Sequence, residues 1–185
     1  MSGMIFALLA VLIVGVGARD QLLVAQLAAR QGRHPAALVL ALASAAATSA
    51  LAAWAALALT AQMNGNARLF FAALACGFAG LELILARAPK PPAEPTHSLG
   101  AFLIVLIAQQ LTDAARFLVL AIALATRAPI AAGVGGALAS MAVVAAGWLA
   151  GNALAGFGFR PLRRWLGAAM LLAGTGLALR ALGYI

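Results

Sequence analysis

The hydrophobic residues of this chain fall into six long runs that are separated by short polar segments. The runs cover approximately residues 4–29, 35–61, 67–86, 99–125, 129–155 and 165–182. A helix needs about 20 apolar residues to cross a bilayer, and each run is close to that length. Because the runs are continuous and rich in alanine and leucine, rather than alternating, they predict six transmembrane helices in an all-α membrane protein.

Composition supports the same interpretation. The chain is 65% hydrophobic and 9% charged, with a mean hydropathy of +1.07, whereas a soluble domain is about 45–50% apolar and about 25% charged. The net charge of +8 does not indicate nucleic-acid binding, because the basic residues cluster at the ends of the apolar runs, as in cytoplasmic loops. We therefore expect a multi-pass protein in the bacterial inner membrane, with the lipid bilayer as its main partner.

The positions of lysine and arginine predict the orientation. The segments after the first, third and fifth runs contain seven basic residues: Arg30, Arg33, Arg87, Lys90, Arg160, Arg163 and Arg164. The other side of the predicted membrane has three: Arg68, Arg127 and Arg180. The more basic side is usually cytoplasmic. Both termini are then predicted to lie on the non-cytoplasmic side.

A proline-rich segment, residues 87–98, divides the chain into residues 1–86 and 99–185. Prolines favour extended geometry, so the segment is predicted to be a cytoplasmic linker. Sliding one half over the other by 94 residues aligns rare residues without a gap: Arg33 with Arg127, Pro35 with Pro129 and Trp54 with Trp148. This register predicts a duplication. Since each half has three runs, the two halves would be inverted repeats, as in many transporters.

Polar side chains interrupt two of the runs at matching depth. The fourth run contains Gln109, Gln110, Thr112, Asp113 and Arg116, and the first contains Arg19, Asp20 and Gln21. Such groups are costly in the membrane and usually face a bundle interior or a wet cavity. We therefore expect these two helices to cross and to form a transport site, although the same charges could simply hold the helices together.

Spacing suggests partners within this polar layer. Gln109, Asp113 and Arg116 are spaced i, i+4 and i+7, which would place them on one helical face. Asp113 would pair either with Arg116 on that face or with Arg19, its mate in the other repeat. Glu82, near the end of the third run, is expected either to reach towards the membrane interface or to serve as a secondary transport-site residue, as is Gln21. Ser44 and Thr48 are expected to bond their own helix or a neighbour, or to line a pore.

Other classes of chemistry find no support in the sequence. The one cysteine, Cys76, lies in an apolar run and has no partner for an internal disulfide. There is no Cys-x-x-Cys, no His/Cys cluster, no nucleophile–base constellation and no phosphate-binding loop. The sequence therefore predicts neither an enzyme nor a bound cofactor.

One segment resembles a known family. Gly15 to Leu23, GVGARDQLL, is similar to the Glu-x-Gly-Asp-Lys-Thr-Gln-Leu-Leu motif of the GDT1 (UPF0016, TMEM165-like) family, and Ala28 to Pro35 resembles its continuation. The second motif of the family falls on residues 109–114. The resemblance implies two three-span halves, a place in the LysE-like transporter group, and exchange of Mn²⁺ or Ca²⁺ against protons.

The chain departs from that motif at its charged positions. The glutamate of the family falls on Gly15 and Gln109, its aspartate on Ala18 and Thr112, and its lysine on Arg19 and Asp113. Hard divalent cations prefer several oxygen ligands, some of them charged. Asp20 and Asp113 are therefore the remaining candidates for a transported metal ion within these two runs.

Three functions follow as hypotheses. The first is a GDT1-type secondary transporter that exchanges a divalent cation against protons. The second is a transport-inactive relative that serves as a membrane scaffold or regulatory subunit. The third is a LysE-like exporter of a small zwitterionic solute, because adjacent arginine and aspartate suit a molecule with both charges. The sequence leaves open whether the chain forms a homo-oligomer.

Overall fold

The computed structural model describes residues 2–32, 34–86, 98–154 and 157–185. These residues form eight α-helices: α1 Ser2–Gly15, α2 Arg19–Gln31, α3 Pro35–Gln62, α4 Gly65–Leu85, α5 Leu99–Leu111, α6 Ala114–Thr126, α7 Pro129–Ala150 and α8 Arg160–Ala181. A short 3-10 turn, Gly151–Leu154, follows α7. The predicted linker lies outside the described residues except for Ser98, whose side chain caps α5.

Several helices have the length and composition of membrane spans. Among the described helices, α3, α4 and α7 are long and apolar enough to cross a membrane, and the count reaches five if each of two bent helix pairs is one span. The predicted sixth span corresponds to α8, which includes four arginines in 22 residues and is not apolar enough to be counted with the others. Six spans in two inverted repeats therefore stay a prediction.

Two predicted spans are broken rather than continuous. α1 and α2 meet at a bend of 57°, and α5 and α6 at a bend of 48°. At the first break Gly17 adopts a φ of +72°, a conformation that glycine tolerates best. At the second, Asp113 is the N-cap of α6 and its carboxylate accepts a hydrogen bond from the amide of Ala115 at 3.2 Å. The expectation of two uninterrupted helices was therefore wrong.

Close helix packing holds the bundle together. α4 packs along α8 and α3 along α7, while α6 contacts α1, α3 and α4. At the crossing of α4 and α8, a Cβ added to Gly80 would lie 2.8 Å from the carbonyl oxygen of Gly167, and one added to Gly167 would lie 2.7 Å from that of Gly80. Small residues at such crossings let helix backbones approach in lipid. The buried core around them is built mainly from alanine, valine and leucine.

Candidate functional site

The two helix breaks lie against each other. Arg19, the first residue of α2, donates from Nη2 to the carbonyl oxygen of Thr112 at 3.0 Å and to its hydroxyl at 3.2 Å. Thr112 immediately precedes Asp113 at the second break. The structure therefore brings together the polar residues that the sequence placed in the first and fourth runs.

Glu82 provides the ion pairs of this region. Its carboxylate lies 2.9 Å from Nη2 of Arg163 and 3.2 Å from Nε of Arg19. The side chains of Glu82 and Arg163 are 8% and 7% exposed, and that of Arg19 is 25% exposed. Glu82 also lies against the amide of Ala114 and interacts electrostatically with Asp113. We call Arg19, Glu82 and Arg163 the Glu82 triad.

The triad corrects two expectations. The Glu82 side chain does not extend to the protein surface, because it is buried between two arginines. Arg19 pairs with Glu82 rather than with Asp113; the ion pairs found among the described residues are those of the triad. The physical reason is the break in the fourth run, which turns the Asp113 carboxylate towards the first turn of α6 and leaves the backbone of Thr112 facing Arg19.

A second group of charges adjoins the triad. Asp20 and Asp113 are 3% and 2% exposed, and Asp20 interacts electrostatically with both Asp113 and Arg116. Together with Gly15, Ser140 and other residues, these three side chains line a narrow space too small for a water molecule. We call Asp20, Asp113 and Arg116 the inner group. One oxygen of Asp20 accepts the amide of Gln21 at 2.8 Å, and Oδ1 of Asp113 has no hydrogen-bond partner among the described residues.

Hydroxyl groups, rather than a carboxylate, hold Arg116 in place. Its Nε donates to the hydroxyl of Thr48 at 2.9 Å, and its Nη1 donates to the hydroxyl of Ser140 at 3.0 Å. Its Nη2 lies 3.5 Å from the carbonyl oxygen of Ala45. The expected Asp113–Arg116 ion pair within one helix is wrong, because Asp113 precedes α6 and Arg116 points towards α3 and α7.

The predicted i, i+4, i+7 face is also wrong. Gln109 belongs to α5, whereas Arg116 belongs to α6, so the 48° bend separates them. Oε1 of Gln109 is buried and has no hydrogen-bond partner among the described residues. Gln110 is fully buried instead, close to Asp20, and its Oε1 lies 3.3 Å from the hydroxyl of Thr48.

The secondary candidates divide into structural and site residues. Gln21 stabilises the first break, since its Oε1 accepts the amide of Gly17 at 2.8 Å and its Nε2 donates to the carbonyl of Val143 at 3.2 Å. Ser44 donates to the carbonyl of Ala41 in its own helix. Thr48 contacts both Arg116 and Gln110, so it belongs to the site.

Two site residues escaped sequence analysis. Arg163 was counted as a loop residue, but α8 begins at Arg160 and buries Arg163 against Glu82. Ser140 lies on α7 amid alanines and glycines, and nothing in its spacing pointed to Arg116. A buried carboxylate such as Glu82 requires a charged partner, and this requirement was the one signal that could have drawn attention to the arginines near the start of α8.

The balance of charge limits what the site can hold in this conformation. The triad has a net charge of +1 and the inner group has a net charge of −1, so the six charges sum to zero. Among the described residues, no three His, Cys, Asp or Glu side chains are close enough to hold a metal ion. The role of Asp20 and Asp113 as metal ligands therefore stays a prediction.

The resemblance to the GDT1 family rests on the sequence motif alone. No model of a protein family, no curated protein and no solved structure matches the chain. The chain is therefore described by what its sequence and geometry show: an all-helical protein with three to five candidate membrane spans, and with three arginines and three carboxylates close together where two bent helix pairs meet.

Proposed function

We propose that this protein is a secondary transporter, built from two inverted repeats, that binds a cation between Asp20 and Asp113. One observation carries the proposal: two broken spans meet at six charges, of which five are buried and one, Arg19, is a quarter exposed. Broken helices that meet at buried charges are a common way for transporters to build a site within the bilayer. A purely structural role for charge would be costly here, because apolar packing of similar volume usually stabilises as well or better.

The geometry of the two halves supports the inverted duplication. A shift of 94 residues takes Ala18 to Thr112 and Arg19 to Asp113, so the two breaks coincide in the repeat register. The thiol of Cys76 donates to the carbonyl of Met170 at 3.2 Å. Residues 76 and 170 are themselves one repeat apart, and a residue can contact its own mate only where a two-fold axis passes.

A second pair of contacts is related by the same shift of 94 residues. The contact between Gly80 and Gly167 becomes, after the shift, a contact between Gly174 and Ala73. That contact exists, because a Cβ added to Gly174 would lie 3.0 Å from the carbonyl oxygen of Ala73. In these contacts the residue number rises along α4 as it falls along α8, so the two helices are antiparallel, as inverted repeats require.

Charge balance suggests how the site works. In this closed conformation the triad neutralises the inner group, and no further ion is needed. Any movement that separates the triad from the inner group leaves two carboxylates opposite one guanidinium. Buried unbalanced charge is strongly disfavoured, so the inner group would then take up a proton or a metal ion. Arg19 would act as a built-in replacement for the transported cation when the site is empty.

The resemblance to the GDT1 family makes exchange of Mn²⁺ or Ca²⁺ against protons the first activity to test. Purified protein is reconstituted into liposomes that contain a pH-sensitive dye, and MnCl₂, CaCl₂ or an amino acid is added outside. We expect a divalent cation to drive proton movement in the wild type, and we expect Asp20→Asn and Asp113→Asn to abolish it.

The control is Arg164→Gln, an exposed arginine outside the site, which should transport like the wild type. Folded protein that moves no proton with any member of the panel would contradict the proposal and favour the scaffold hypothesis. Proton movement that both aspartate variants retain would support a transporter but would contradict the assignment of its cation site.

A further inference from the structure

A pocket of about 180 Å³ adjoins the Glu82 triad, since both arginines of the triad line it. It lies between the first helix break, the end of α4 and the start of α8. Its wall includes Gly17, Arg19, Phe159, Arg160 and Arg163. The segments after α4 and before α8 are on the predicted cytoplasmic side, so the pocket connects that side with the triad.

Three arginines line the pocket: Arg19, Arg160 and Arg163. Within the described part of the chain, only Glu82 forms ion pairs with them. Arg160 is exposed and forms no ion pair with a described residue. Nε of Arg19, although 3.2 Å from Glu82, is buried and lacks a hydrogen-bond partner in the described structure.

The helix that presents two of these arginines has no cap of its own. The N-cap residue of α8, Phe159, makes no side-chain capping hydrogen bond, so the amides of Arg160 and Leu162 lack the partner that a capping side chain would supply; Pro161 between them has no amide hydrogen to donate. Cations in a first turn are disfavoured by the helix dipole, whereas an anion there is favoured. An anion in the pocket would therefore satisfy both the arginines and the start of α8.

The rest of the wall is apolar and well defined. The rings of Phe157 and Phe159 stack with their centres 5.9 Å apart. Gly17 packs against Phe159 so closely that an added Cβ would lie 2.5 Å from the ring. The pocket thus combines arginines with an aromatic side, which suits a small anionic solute.

We propose that this pocket binds the anionic group, a carboxylate or a phosphate, of a small solute that the transporter moves or senses. The inference rests on the proposed function and adds a substrate class to it. The anion would compete with Glu82 for Arg19 and Arg163. Its arrival would weaken the triad, and the inner group could then take up its cation.

The test uses purified full-length protein in detergent at constant ionic strength, with succinate and inorganic phosphate as probes and chloride as the background anion. Binding is followed by thermal unfolding and by tryptophan fluorescence, since Trp165 follows Arg160 by little more than one helical turn. We expect succinate or phosphate to stabilise the wild type, and Arg160→Gln to weaken that binding at least tenfold. Arg164→Gln removes a neighbouring exposed arginine that does not line the pocket, and it should bind like the wild type.

A second arm distinguishes a solute from a lipid headgroup. The same binding is measured in nanodiscs of neutral phosphatidylcholine and of anionic phosphatidylglycerol. Equal solute binding in both supports the proposal. The lipid headgroup would instead be the ligand if phosphatidylglycerol abolished solute binding to protein that retains Arg160. That result would overturn the proposal of a solute.

Absence of binding by both probes, or equal loss in the Arg160 and Arg164 variants, would overturn the anion site itself. These failures are separable from failure of the proposed function. Cation-driven proton movement that depends on Asp20 and Asp113 can be present without anion binding, in which case only this inference fails. Anion binding without any proton movement would support the anion site and contradict the proposed transport function.

Discussion

Replacing Glu82 by glutamine should be one of the most destabilising single changes of charge in this protein. The substitution keeps the shape of the side chain but removes the carboxylate that two arginines share. Arg163 would be left buried without a counter-charge. Breaking a buried ion pair in this way typically costs about 3–5 kcal/mol. The Arg19 side chain is a quarter exposed, so its share of the loss should be below about 1 kcal/mol.

The expected loss of about 3–5 kcal/mol corresponds to more than a hundredfold change in the unfolding equilibrium. Unfolding free energies are measured by denaturant titration in mixed micelles, with tryptophan fluorescence as the signal. Arg163→Gln alone should also destabilise, since it leaves Glu82 with only the more exposed Arg19. The double variant should be more stable than the sum of the two single effects predicts, by about 1–3 kcal/mol, because neither buried charge then lacks a partner.

Arg164→Gln serves as the matched control, because Arg164 lies next to Arg163 in the chain but is exposed. A surface substitution of this kind usually changes stability by less than about 0.5 kcal/mol. The reasoning would be refuted if Glu82→Gln were as stable as Arg164→Gln. It would also be refuted if the effects of Glu82→Gln and Arg163→Gln were strictly additive, because the two side chains would then not act as a pair.

Three further predictions concern packing, capping and orientation. Gly80→Ala should destabilise by about 1–3 kcal/mol in the same titration, through overpacking against Gly167. Gly77 has open space around it, so Gly77→Ala should be neutral or stabilising by up to about 1 kcal/mol. Equal effects of the two substitutions would contradict the α4–α8 contact. Asp113→Asn and Asp113→Ala both remove the buried charge, so their difference isolates the cap: Asp113→Ala should be about 1 kcal/mol less stable than Asp113→Asn, because asparagine also caps helices; the reverse order would exclude a capping role. In a Cys76→Ala background, an impermeant thiol reagent added to intact cells should label Asn66→Cys and spare Gly158→Cys; the opposite pattern would invert the predicted topology.

The sequence predicted the limits of the long apolar helices α3 and α4 well because apolar length is a local property. The ends of α3 at Pro35 and of α4 at Leu85 lie within two residues of the predicted limits. The breaks escaped prediction because the residues that cause them, Gly17 and Asp113, each interrupt a run whose average remains apolar. Continuous apolar runs do not reveal where a helix bends, since the bend depends on which tertiary contacts satisfy the freed backbone groups.

The site was predicted in part for a similar reason. Arg19, Asp20 and Asp113 were recognisable because a charge within an apolar run is costly wherever it points. Their partners were not, because Glu82 and Arg163 are 81 residues apart in the chain and each lies near the end of a run, where charge costs little. Arg19 pairs with Glu82 instead of Asp113 because of the helix break, which the sequence did not predict.

The most direct test of the central claim, that charge balance at the meeting of the broken spans controls cation binding, is the affinity for Mn²⁺ in detergent. Free Mn²⁺ is measured by its electron paramagnetic resonance signal, which is lost on binding. At about 10 Å and an effective dielectric constant of about 20, one unit charge changes the energy of a divalent ion by about 3 kcal/mol. We predict that Arg19→Gln binds Mn²⁺ at least tenfold more tightly than the wild type, and that Asp20→Asn and Asp113→Asn bind it at least tenfold more weakly. Equal affinity in all four proteins, or weaker binding by Arg19→Gln, would contradict the account.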